Sequence, residues 1–123
     1  MRAYTVATVA LTLGLAPKRL DNILTRFPVR GVVQSRQGVS RRLGPEAVLT
    51  LHIASELIRT LGMPLERAIA LAERAGNDGG KIGLFPSGSL TLDLNIASAE
   101  LGKRLALAVE VTPVPKRGRP SAK

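Results

Sequence analysis

The chain has 123 residues, 18 Lys+Arg against 9 Asp+Glu, a net charge of +9, no cysteine and 2% aromatic residues. That length holds one core and leaves no room for a two-domain enzyme; the lack of cysteine excludes disulfides, thiolate metal sites and cysteine nucleophiles; and so few rings count against base-stacking platforms of the RRM or OB type. The charge favours a polyanionic partner and is uneven: residues 1–76 carry 11 basic and 5 acidic side chains, residues 77–113 carry 3 and 4, and residues 114–123 carry 4 and none.

Val6, Val9, Ala10 and Leu13 recur at helical spacing and predict a short helix over 5–13, capped by Thr5 and closed at Gly14. The same stretch has the apolarity of a signal peptide, but a single positive charge leads it, threonines interrupt it, and Pro17 would follow the cleavage point. No segment reaches the ~20 apolar residues of a membrane span, so a cytoplasmic, nucleoid-associated protein is expected. A second helix starts at Pro17, turns Leu20, Ile23, Leu24 and Phe27 inward, and stops at Pro28. Residues 31–43 read as a hairpin with Ser35, Arg36, Gln37 and Gly38 at its turn. A third helix runs over 45–61, with Val48, Leu51, Ser55 and Ile58 on one stripe and Leu49, Ile53 and Leu57 beside it. Gly62 ends it, Pro64 starts a fourth, and Gly76 stops that one.

Residues 77–80, Asn-Asp-Gly-Gly, read as a flexible linker. Together with Gly76 and Lys81 they superficially suggest a phosphate loop, but the spacing is one residue short, Ile82 stands where Ser or Thr is needed, and the flanking elements are wrong. Beyond them a second hairpin is expected from 81–85 and 89–94, in which Thr91, Asp93 and Asn95 alternate with Leu92, Leu94 and Ile96 as in a half-buried strand. Residues 96–111 fit two patterns. Leu94, Leu101, Leu105 and Ala108 share a helical face, whereas Leu105, Leu107, Val109 and Val111 alternate like a strand; length and the alanines favour helix. Residues 113–123, rich in Pro, Lys and Arg, are expected to be a disordered basic tail.

Two short helices joined by Leu13-Gly14-Leu15, a basic second helix, a hairpin and two more helices predict a mainly α fold with small β, a winged helix-turn-helix. The details over about residues 3–75 resemble the DNA-binding domain of the MerR family. The carrying segments are Tyr4-Thr5-Val6 with Val9-Ala10-Leu11, then Gly14-Leu15-Ala16-Pro17, then Arg41-Arg42-Leu43 with Pro45-Glu46-Ala47-Val48, and finally 61–67, Leu-Gly-Met-Pro-Leu-Glu-Arg. The resemblance implies a DNA-binding domain over 1–76, a linker over 77–80, and a hairpin-helix appendage over 81–112 serving dimerisation or partner binding. The chain departs from the family where Asp21, Asn22 and Ile23 replace an arginine and aromatics, and where Ala16 replaces a capping serine. The glycines from 76 onward also interrupt the family's long dimerisation helix. With no cysteine and one histidine, no soft-metal effector is expected.

From 18 to 42 there are seven basic residues and one acid, Asp21. In a winged helix-turn-helix the second helix enters the major groove, which places Lys18, Arg19, Asn22 and Arg26 toward the duplex. Arg19 has the geometry to read guanine and Asn22 to read adenine. Arg36, Gln37, Arg41 and Arg42 would meet phosphates or the minor groove. In the tail, Lys116, Arg117, Gly118 and Arg119 resemble an AT-hook, in which arginines follow a narrow A·T minor groove and glycine allows close approach; an unspecific basic tail acting by counterion release is the plainer alternative. His52 shares a helical face with Glu56 and Arg59, predicting a surface His–Glu pair. No catalytic triad, metal set or cofactor motif is present, so no enzyme and no cofactor are expected. The sequence thus predicts a sequence-specific protein for double-stranded DNA, most simply a small transcriptional regulator, with a possible homodimer through 81–112 and no membrane partner. Alternatives are an excisionase-like or architectural accessory protein, an antitoxin holding a protein partner through 81–112, and a basic protein for RNA or membrane surfaces.

Overall fold

A computed structural model describes residues 3–33 and 41–111. The fold is mainly helical with two small antiparallel sheets. In chain order it runs β1 (Tyr4–Thr5), α1 (Val6–Leu13), α2 (Pro17–Arg26), β2 (Val32–Val33), β3 (Arg42–Leu43), α3 (Pro45–Leu61), α4 (Leu65–Asn77), β4 (Lys81–Phe85), β5 (Gly88–Thr91) and α5 (Leu94–Val111).

Local chemistry sets most boundaries. The Thr5 hydroxyl accepts the Thr8 amide at 3.1 Å and opens α1. At its end Gly14 is left-handed, and the amides of Gly14 and Leu15 donate to the carbonyls of Leu11 and Ala10, so two orphan carbonyls are satisfied in one tight turn. Two residues later Pro17 enters α2 with its preset φ. Phe27 is extended because Pro28 follows it, which ends α2.

The 31–43 hairpin forms at its base: β2 pairs with β3, Val32 opposite Leu43 and Val33 opposite Arg42. Its expected turn, 35–38, lies outside the described residues. A strand the sequence pattern did not predict joins it. Tyr4 and Thr5 pair with the free edge of β3, giving the order β1-β3-β2. The sheet therefore ties the start of α1 to the entry of α3.

α3 is the central helix and packs against α4, α5 and α1. Ala47, Val48, Thr50, Leu51, His52, Ile53, Ala54 and Leu57 are all buried, nearly its whole circumference. The core cluster joins Val9, Leu20, Leu43 and Val48 to Ile82, Leu101 and Leu105. Residues 81–111 are thus built into the same core rather than appended to it.

Three expectations are corrected here. Residues 77–80 are not a flexible linker. The helix runs one residue past Gly76, Gly79 takes the left-handed turn, and the Gly80 amide donates to the Ala75 carbonyl at 2.7 Å. Gly80 is itself buried, and its carbonyl accepts the Leu92 amide at 2.7 Å, closing the β4–β5 hairpin. Second, the helical residues of α4 begin at Leu65, one after the expected start, with Pro64 at the N-cap position and its carbonyl accepting the Ala68 amide at 2.9 Å. Third, the strand expected to reach Leu94 ends at Thr91, because Asp93 accepts the Ile96 amide on its carboxylate at 3.0 Å and starts a helix. Residues 96–111 are helical, and Leu101, Leu105 and Ala108 form the buried stripe. Among the described residues no helix is long and apolar enough to cross a membrane.

Candidate nucleic-acid interface

Leu20, Ile23 and Leu24 anchor α2 in the core. The opposite face is therefore forced outward, and Lys18, Arg19, Asn22 and Arg26 are all exposed on it. With Ile23 and Leu65 they border one shallow depression between α2 and the start of α4. Arg26 is held with its guanidinium 5.1 Å from the centre of the Phe27 ring, a cation–π contact that fixes the end of the row. At the other end Ala16 provides no side-chain cap, so the positive end of the helix dipole lies next to Lys18 at the helix start.

Arg42 is exposed on β3. Arg41, expected at the duplex with it, is engaged elsewhere. Its guanidinium forms an ion pair with Asp21 and donates to the Thr25 hydroxyl at 3.0 Å, leaving the side chain 19% exposed. Thr25 in turn donates to the Asp21 carbonyl at 2.9 Å. The lone acid of the basic segment is thus the anchor of a clasp between α2 and β3, and Arg41 is a bracing residue. Sequence reasoning missed this; the signal was the isolated Asp21 with Thr25 one turn later on a helix otherwise free of acids. Arg36, Gln37, Lys116, Arg117, Gly118 and Arg119 lie outside the described residues. The structure therefore brings together Lys18, Arg19, Asn22 and Arg26, and sets Arg42 on the sheet braced to the same helix.

His52 is also corrected. It is not at the surface but 6% exposed, and Glu56 is held by Arg59 through bonds of 3.1 Å to Nε and 2.6 Å to Nη2. That hydrogen bonding lowers the Glu56 pKa. Burial lowers the His52 pKa, with Arg104 and Arg59 acting in the same direction and Glu56 and Glu100 against it. Arg30, a basic residue of the same segment, points away from the α2 row: its amide donates to Glu73 and its guanidinium faces Glu46 at 3.9 Å.

No family model matches the chain, and no curated protein or solved structure is significantly similar to it.

Proposed function

We propose that the chain is a sequence-specific double-stranded DNA-binding protein, a small transcriptional regulator with a MerR-like winged helix-turn-helix. The observation that carries this reading is the exposed row Lys18, Arg19, Asn22 and Arg26 on one face of α2. It sits beside an uncapped helix start, with its one acid turned into the Arg41 clasp. A solvated surface helix usually mixes both charge signs; this face offers a polyanion only cations, amide dipoles and an asparagine. In this reading α2 enters the major groove, with Arg19 and Asn22 on base edges and Lys18 and Arg26 on phosphates. The clasp sets the angle of the β2–β3 wing, so that Arg42, with Arg36 and Gln37, meets the adjacent backbone. Lys116, Arg117 and Arg119 add a second anchorage in an A·T-rich minor groove, with Gly118 at its floor.

Duplex affinity measured against salt tests the reading. Neutralising six or so phosphates lowers affinity by roughly 10³-fold or more between 50 and 200 mM salt. Absence of duplex binding at 50 mM, or binding indifferent to salt, rejects it.

A further inference from the structure

A groove of about 350 Å³ lies between α3, β5 and the first turns of α5. Its walls are apolar: Leu57 and Leu61 from α3, Leu90 from β5, Leu92 from the link to α5, and Ile96 from α5. Leu61 and Ile96 are 52% and 59% exposed, so the walls stand open to solvent. His52 lies against it, buried, and among the described residues nothing hydrogen-bonds its ring. A buried imidazole without a partner is costly unless something supplies one.

The charges at the groove have one sign. Glu56, Asp93 and Glu100 line it and no Lys or Arg does, in a chain of net charge +9. Glu56 is taken up by Arg59 and Asp93 by the cap of α5, whereas Glu100 makes no hydrogen bond or ion pair among the described residues. Arg104 on α5 and Arg59 on α3 act on the His52 ring from outside the lining.

We propose that this groove is a binding site for a small amphipathic amine, its apolar body against Leu57, Leu90, Leu92 and Ile96 and its cationic head between Glu100 and the His52 ring. The volume falls within the range of small-molecule sites, and the division into an apolar wall and a few convergent polar groups is what such sites show. A neutral imidazole nitrogen accepts one ammonium proton, and the free carboxylate neutralises the charge. An anionic amphiphile of the same length meets the free Glu100 carboxylate and is repelled. The site is separate from the α2 face and does not depend on what that face binds.

His52 is the only histidine, so its ring resonances report the groove alone in the intact protein. Octylamine, octanoate and octanol are titrated into the full chain and those resonances followed. Octylamine shifts them saturably, octanol more weakly, and octanoate does not. Glu100→Gln weakens octylamine binding about tenfold, the effect of losing one charged hydrogen bond, while the far-ultraviolet circular dichroism of the free protein is unchanged. Ile96→Lys, which places an ammonium at the mouth, abolishes binding. Equal response to octylamine and octanoate, or no saturable response to either, overturns the proposal. So does a His52 signal that follows protein concentration but not amine, since the groove would then be covered by a second copy.

Discussion

At the scale of single residues, exposure and pairing separate side chains that look alike in sequence. Arg41 and Arg42 are neighbours, yet one is spent on Asp21 and the other is exposed. If α2 reads bases, Arg19→Ala and Asn22→Ala each cost about 1–3 kcal/mol on the preferred site and flatten its sequence preference. Arg42→Ala should weaken all duplexes alike, because phosphates carry no sequence information. Binding of one specific and one scrambled duplex by each variant checks this; equal losses on both from the α2 variants would remove that helix as the reader. His52 has a different consequence, on stability. Its pKa is lowered in the folded state, so between that value and the ordinary one near 6.5 the unfolded chain binds more protons. Stability is then full above about pH 6.5 and falls as pH drops below it, by up to about 1.4 kcal/mol per pH unit. Urea unfolding at pH 7.5 and 5.5 measures the loss, and His52→Gln should remove most of it.

At the scale of elements, glycines with positive φ make the tight turns, but their surroundings differ. A methyl group added at Gly14 would meet open space, so Gly14→Ala costs only the left-handed strain, about 1–2 kcal/mol. At Gly80 the same methyl would lie 2.2 Å from the Leu92 carbonyl oxygen, at φ +98°. Backbone there must move, and with it the hairpin that carries Ile82 into the core. Gly80→Ala should therefore cost several times more, at least ~3 kcal/mol. Denaturant midpoints of the two variants check the ranking; similar costs would mean that the turn at 79–80 yields easily. The amphipathic elements were legible for the same local reason. In α2 one apolar stripe faces one core, so spacing alone names Leu20, Ile23 and Leu24 as buried. In α3 it does not, because three helices surround it and even its polar positions, Thr50 and His52, are covered.

At the scale of the whole molecule, the shared core makes one cooperative unit out of what the glycines would divide. Leu101 and Leu105 of α5 and Ile82 of β4 lie in one cluster with Val9, Leu20 and Val48. Each such large side chain contributes roughly 1.5–3 kcal/mol when buried, so removing 81–111 would strip a sizeable share of a marginal total. Thermal unfolding should be a single transition, reported alike by the His52 ring signals and by far-ultraviolet circular dichroism. A chain ending at residue 80 should lose that transition or melt far lower. Two separate transitions would restore the division at 77–80.

What the sequence by itself determined is whatever depends on near neighbours along the chain. The helix of Leu20, Ile23 and Leu24, its outward basic row, and the turn at Gly14 follow from 3.6-residue spacing and from backbone sterics. The charge excess that motivates a polyanionic partner is likewise a property of composition. What only the tertiary structure decided depends on groups distant in sequence. Asp21 meets Arg41 across twenty residues, Tyr4 and Thr5 find β3, and α5 returns to pack against α1 and α3. Asp93 shows the boundary between the two. Alternation made it a strand residue, and its own carboxylate made it a cap once the chain had to leave β5 and lay α5 on the core. Local preferences there differ by about a kcal/mol, and the burial of a whole helix face outweighs them.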